Sequence, residues 1–208
     1  EALQIDPNFH LALVALVDVK RRAGQLDEAL ALADRAIAAN AESPYGYHEK
    51  GRVLRSQRKL DEAIAQFELA CGQKQKYAPC HNQIGEVLLI KQETAPREDH
   101  IRFFRSAYEA FIKAVRVDSQ HVWAHSNAAF TALLLGNGGD ALSLINRAMF
   151  LDPNLLANRI RYALILSRTG KREDAIALAR TILAENPGLY DMETVGWGSR
   201  PGMRQLLQ

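Results

Sequence analysis

One recurrence limits this chain more than any other feature: an alanine in an acidic-aliphatic setting returns at a fixed interval. Asp27-Glu28-Ala29-Leu30 and Asp61-Glu62-Ala63-Ile64 lie 34 residues apart, and looser versions end at Leu142 and Ile176. The alanines themselves, Ala29, Ala63, Ala107, Ala141 and Ala175, are separated by 34, 44, 34 and 34 residues. A second series, Ala36, Ala70, Ala114 and Ala148, follows seven residues later with the same spacings, and Ile182 takes its place in the last unit. A unit this short cannot bury an apolar face alone, so successive units must stack, and the chain is committed to an array.

The register divides the sequence into 10–43, 44–77, 78–121, 122–155 and 156–189, the third unit carrying a ten-residue insertion. Each unit holds two segments of helical apolar periodicity, parted by short turns such as Ala23-Gly24-Gln25, Leu135-Gly136-Asn137 and Thr169-Gly170-Lys171. Glycine there suits the left-handed residue that ends a helix. No segment keeps the period-two alternation of a strand. Alanine at the recurring positions lets two helix backbones approach, while Phe67, Phe111 and Ile145 fill the space beside the contact. The expectation is an all-α fold, a right-handed solenoid of stacked antiparallel helix pairs.

These residues resemble the tetratricopeptide repeat, a helix-turn-helix unit, over 10–189. Its pattern is met in part by Tyr47, Gly51, Ala63, Phe67 and Ala70, and by Ile84, Gly85, Ala107, Phe111 and Ala114. The closing proline stands at Pro7, Pro153 and Pro187 and is replaced by Ala41, Gln75 and Ser119, while Val17 stands where the family favours glycine. The leading Ala2 to Pro7 looks like the end of a preceding repeat occupying 1–9, and the expectation is that the chain is part of a longer protein. The resemblance implies a protein-protein interaction scaffold with no catalytic site of its own. The competing reading is a regulatory or substrate-recruiting segment of an enzyme whose catalytic domain lies outside 1–208.

Composition bounds the alternatives. With 26 Lys and Arg against 24 Asp and Glu, the net charge of +2 supplies no global field for nucleic acid or an anionic membrane. No apolar stretch approaches the ~20 residues of a membrane span. The compartment is not readable from the termini; cytoplasm and periplasm both remain open. Phosphate-binding loops and nucleophile elbows are absent, and no cofactor is expected. His121 and His125 share a helix-face spacing, but His121 falls at a helix start and no third ligand lies near in sequence; Cys80-His81 adjoin, and neighbours point in different directions, so no metal site is assigned. Cys71 and Cys80, the two cysteines, are read as free packed thiols, with a disulfide as the alternative.

Two regions depart from the repeat. The insertion falls between Lys91 and Ala107, and the second helix of that unit is expected to begin about two turns early, with 92–95 as a lengthened connection. One of Phe103 and Phe104 is expected to pack beneath it, with Arg102 and Arg105 in solvent; the alternative is that Phe103 or Phe104, flanked by these arginines, forms a protruding contact site for a partner. Behind the last unit, 190–208 is broken repeatedly at Gly196, Gly198, Pro201 and Gly202, and reads as a cap anchored by Trp197.

In this family the first helices line the inner, concave wall. The candidate binding residues there are Arg21, Arg22, Tyr45, Arg52, Arg55, Leu89, Trp123, Asn127, Phe130 and Leu134. That wall is basic early and apolar later, which suits a hydrophobic peptide or helix with an acidic end. The Lys and Asn clamp by which some members grip an acidic C-terminus is missing, since Val14, Asp18, Glu49, Pro79 and Gln83 hold its places, and only Asn127 fits the asparagine ladder of others. The expected partner is a protein or peptide rather than nucleic acid, with self-association through solenoid ends as a further option.

Overall fold

A computed structural model of the chain describes residues 6, 9–73 and 76–187. Among the described residues are ten α-helices and no strand: α1 His10–Arg22, α2 Leu26–Ala39, α3 Pro44–Ser56, α4 Leu60–Cys71, α5 Ala78–Thr94, α6 His100–Val117, α7 Val122–Leu134, α8 Gly138–Leu151, α9 Leu156–Arg168 and α10 Arg172–Glu185. The fold is an all-α helical solenoid. None of these helices is long and apolar enough to cross a membrane. The chain divides into two compact units, 1–87 and 88–208, the division falling inside α5.

The recurring positions are the buried ones. Ala29, Ala36, Ala63 and Ala70 in the first unit, and Ala107, Ala114, Ala141, Ala148 and Ile182 in the second, are fully enclosed. Facing them across each hairpin is a size-matched pair, one residue from each helix. In the first unit Val17 shares a cluster with Ala33, and Gly51 lies against Phe67. In the second, Ala129 packs with Ile145 and Ala163 with Ala179, where Phe130, Leu164 and Ile182 fill the remaining room. The rule is conservation of volume: a large residue is admitted only where its partner is small. Gly51 is the extreme case, because a Cβ there would come within 2.6 Å of Phe67 Cε1.

Turns follow the same register. Gly24, Gly136 and Gly170 have φ of 76°, 79° and 84°, and Arg58 takes the equivalent place in the second hairpin with φ 61°. A side chain there works against a conformation that glycine adopts freely. Ser43 caps α3, its Oγ accepting from Tyr45 N, with Pro44 preset at the first helical position.

The insertion is shared by both helices of its hairpin, a difference from the expected extension of the second alone. α5 has 17 residues and α6 has 18, against 12 to 14 elsewhere. Pro96 stops α5 from continuing, a 3-10 turn spans Arg97–Asp99, and the His100 ring bonds both Gln92 Nε2 and the Ala95 carbonyl. Phe104 packs beside the Leu89, Ala107 and Phe111 cluster, while the Arg102 guanidinium sits 5.1 Å from the Phe103 ring. The proposed cap at 190–208, with Trp197, lies outside the described residues, as do most of 1–9.

Candidate functional site

The first helices of unit 1, α1, α3 and the start of α5, carry a row of charged side chains that neutralise one another. Asp18 Oδ1 accepts from Arg21 Nη2 at 2.6 Å and lies 3.1 Å from Arg52 Nη1, while Asp18 Oδ2 meets Arg22 Nε at 2.6 Å. Arg52 also donates to Glu49 at 2.8 Å. Arg55 donates to Gln83 at 2.7 Å and to Glu86 at 2.6 Å. Burial works to raise the Asp18 carboxyl, but the Arg21 hydrogen bond and the charges of Arg52, Arg21 and Arg22 outweigh it and hold the group below the usual carboxylate value. Glu49 is also lowered: burial opposes ionisation, and the bond from His48 together with the Arg52 charge overcomes it.

The expectation of a freely basic early wall is therefore corrected: Arg21, Arg52 and Arg55 are held by acids in the same unit. Asp18 with Arg21 and Arg22, and Glu49 with Arg52, are neighbours one turn apart on one helix, whereas the reach of Arg52 to Asp18 and of Arg55 to Glu86 across neighbouring helices was not visible in the sequence. Arg22 keeps 71% of its side chain exposed despite its bond to Asp18. Beside Glu49 is an aromatic group, with Tyr45 and His48 each edge-on to Tyr77 at 5.3 Å between centroids. Burial, then the charge of Glu49, pushes the Tyr77 hydroxyl well above the ordinary tyrosine value, so it stays a neutral donor. Tyr45 remains 38% exposed.

In unit 2 the candidates form one stripe on α7, at Trp123, Asn127, Phe130 and Leu134, whose spacing places them on a single helix face. Trp123 is 44% and Leu134 38% exposed at the ends of the stripe. Its middle is core. Phe130 is 7% exposed and packs with Ala163, Leu164, Ala179 and Ile182, Asn127 is buried, and Leu89 is enclosed with Ala107, Phe111 and Ala128. These three were expected on an open wall. The correction follows from packing, since successive first helices lie against each other as well as against their second helices, which seals α7 from Ala124 to Ala132. A buried polar contact missed from sequence crosses the same layer: Arg161 on α9, 5% exposed, donates to Ser126 Oγ at 2.6 Å.

His121 and His125 each bond the backbone near the start of α7. His121 caps α7 by accepting from Ala124 N at 3.1 Å, and His125 Nε2 is 3.1 Å from the Ser119 carbonyl. Cys71 and Cys80, by contrast, are joined in a disulfide with Cα atoms 5.6 Å apart, which overturns the reading of two free thiols. The signal lay in the register: one repeat earlier the same two positions are Ile37 and Gly46, where a Cβ on Gly46 would meet Ile37 Cγ1 at 2.9 Å. His81 completes a cluster with these sulfurs, so the expectation that Cys80-His81 could gather nothing overlooked Cys71 from the preceding helix.

Comparisons with known proteins agree with this architecture. A tetratricopeptide repeat model matches residues 14–78. No curated protein matches the sequence. Among solved structures, a thermophilic repeat protein of Thermus thermophilus, TTC0263, superimposes with a TM-score of 0.69 at 20% identity, covering 86% of this chain and 92% of that one. PilF of Pseudomonas aeruginosa gives 0.71 at 14% identity over 85% and 75%. YrrB, described as having an unusual peptide-binding site, gives 0.59 at 18% identity over 89% and 91%. At these identities the likeness speaks to fold. The fold is one of protein-protein interaction scaffolds, generally without catalysis of their own. Residues 14–78 are matched by the tetratricopeptide-repeat model, and the alanine register and the hairpins it builds carry the same repeat fold through the rest of the described residues.

Proposed function

We propose that this protein binds a peptide or helix of a protein partner on the face presented by its first helices. The observation that carries the reading is the pair of large apolar side chains left open on α7. Trp123 and Leu134 are 44% and 38% exposed on one helix face, while the residues between them are sealed. An exposed tryptophan and an exposed leucine at the two ends of one helix face gain little from water and much from an extended partner that covers both. Phe130 and Asn127 serve as the rigid floor behind them, and Leu89 as packing rather than contact. In unit 1, Tyr45 and Arg22 are the accessible counterparts; Arg21, Arg52 and Arg55 add charge only if an incoming acid exchanges with Asp18, Glu49 or Glu86. That cost favours an apolar or aromatic ligand over a purely acidic one. The peptide-binding site named for YrrB is consistent with the same use of the fold.

The test is selection of peptides from a random display library by the wild-type chain, followed by affinity measurement on variants. Trp123→Ala and Leu134→Ala should each weaken the selected peptides by roughly tenfold or more, a loss of about 1.4 kcal/mol. Phe150→Ala, on the 77% exposed side chain of α8, should leave them unchanged. Selected peptides that ignore Trp123 and Leu134 would place the site elsewhere.

A further inference from the structure

Three side chains with metal-binding donor atoms meet where α4 gives way to α5. Cys71 closes α4, Cys80 and His81 lie in the first turn of α5, and one ligand atom from each lies within 4.8 Å of the others. His81 Nδ1 is 3.4 Å from Cys71 Sγ. In a tetrahedral zinc site, a sulfur at about 2.3 Å and a nitrogen at about 2.0 Å from the ion are roughly 3.5 Å apart. Sulfur and imidazole therefore already stand at the separation of two ligands of one ion. Helix packing itself favours the approach of the two cysteines, because at the same repeat positions one unit earlier a Cβ on Gly46 would stand 2.9 Å from Ile37 Cγ1 with no covalent bond to draw them together. Opening the disulfide leaves both sulfurs in the same corner. Cys80 is fully enclosed, and Cys71 and His81 are half-buried, so an ion would be shielded on one side and reachable from the other.

We propose that reduction of the Cys71–Cys80 disulfide turns this corner into a zinc site, with Cys71 Sγ, Cys80 Sγ and His81 Nδ1 as ligands and a fourth position open to water. A dithiol reductant supplies the first step. Its two thiols become a disulfide, the protein S–S bond breaks, and two electrons and two protons pass to the protein as two thiols. Zn²⁺ then displaces both thiol protons to solvent, and the two thiolates balance the charge of the ion. Disulfide and metal site are alternative states of the same two sulfurs, which makes zinc occupancy dependent on the redox state of the surroundings.

The probe is Co²⁺, which reports thiolate ligation by charge transfer in the near ultraviolet and tetrahedral geometry by visible bands. The whole chain, reduced with a phosphine that is then removed under anaerobic conditions, should take up one Co²⁺ with both signatures, release about two protons per ion near neutral pH, and yield the Co²⁺ to Zn²⁺. The disulfide form should take up none. His81→Ala leaves the disulfide available yet should weaken Co²⁺ by roughly tenfold or more in the reduced state. Circular dichroism with and without Zn²⁺ covers the case in which reduction loosens the fold: zinc should then restore helicity or raise the unfolding midpoint of the reduced chain alone. Reduced wild type without the charge-transfer band and without a zinc effect on folding overturns the proposal, as does equal affinity in His81→Ala or in the oxidised chain.

Discussion

Replacing Gly51 with alanine isolates the size rule that seals each hairpin. Helix propensity alone favours the change by about 0.8–1 kcal/mol, since Gly51 lies inside α3. Packing opposes it. The new Cβ would stand 2.6, 2.8 and 2.9 Å from Phe67 Cε1, Cδ1 and Cζ, and ordinary carbon contact requires about 3.5–4.0 Å, so the ring must retreat by roughly 1 Å in a fully enclosed site. Overpacking of this kind costs about 1–3 kcal/mol, which leaves Gly51→Ala destabilised by about 1 kcal/mol net. Phe67→Ile alone leaves a void and costs about 1–2 kcal/mol. Together they recreate the Ala129 and Ile145 pairing of the second unit, so the double variant should recover most of both losses, with a coupling of about 1–2 kcal/mol. Urea unfolding followed by circular dichroism measures the cycle, 1 kcal/mol moving the midpoint by roughly 0.4 M for a chain of this size. Coincident transitions by fluorescence are the control, because repeat arrays do not always unfold in one step. If Gly51→Ala is stabilising and the two changes simply add, the close approach of α3 to Phe67 is not what selects glycine.

Arg58→Gly should stabilise the chain by about 0.5–1 kcal/mol, relieving a left-handed residue that three other turns assign to glycine; thermal unfolding checks it. Phe130→Ala should cost about 3 kcal/mol in urea unfolding, whereas Trp123→Ala should stay within about 0.5 kcal/mol, because only the first empties a packed site. Asp18 and Glu49 have carboxyls held below their unfolded values, so their contribution is complete above about pH 5 and is lost as pH falls through the unfolded and then the lower folded values. Asp18→Asn with Glu49→Gln should flatten the acid limb of a stability-pH curve, and an unchanged limb would contradict the pairing.

The alanine series, the turn glycines and the place of the insertion were legible because each depends on one backbone approach or one dihedral, repeated until the pattern stood out. Phe130 and Asn127 were misjudged for the opposite reason. Their helical spacing matches that of Trp123 and Leu134, and only the stacking of neighbouring first helices decides which part of a stripe is covered. The salt bridges from Arg52 to Asp18 and from Arg55 to Glu86 join residues more than 30 positions apart, where side-chain reach rather than sequence pattern sets the partner. The Cys71–Cys80 bond was legible in principle, but only once the register had been read across to Ile37 and Gly46.

Trp123 offers the most direct test of the binding face. The chain has two tryptophans, so Trp197→Phe leaves Trp123 as the only indole emitter. In that background the account predicts red-shifted emission that acrylamide quenches readily, changing to blue-shifted and protected emission when a selected peptide binds. Emission that is already blue and shielded in the free chain, or that stays unchanged when the peptide is demonstrably bound, would contradict it.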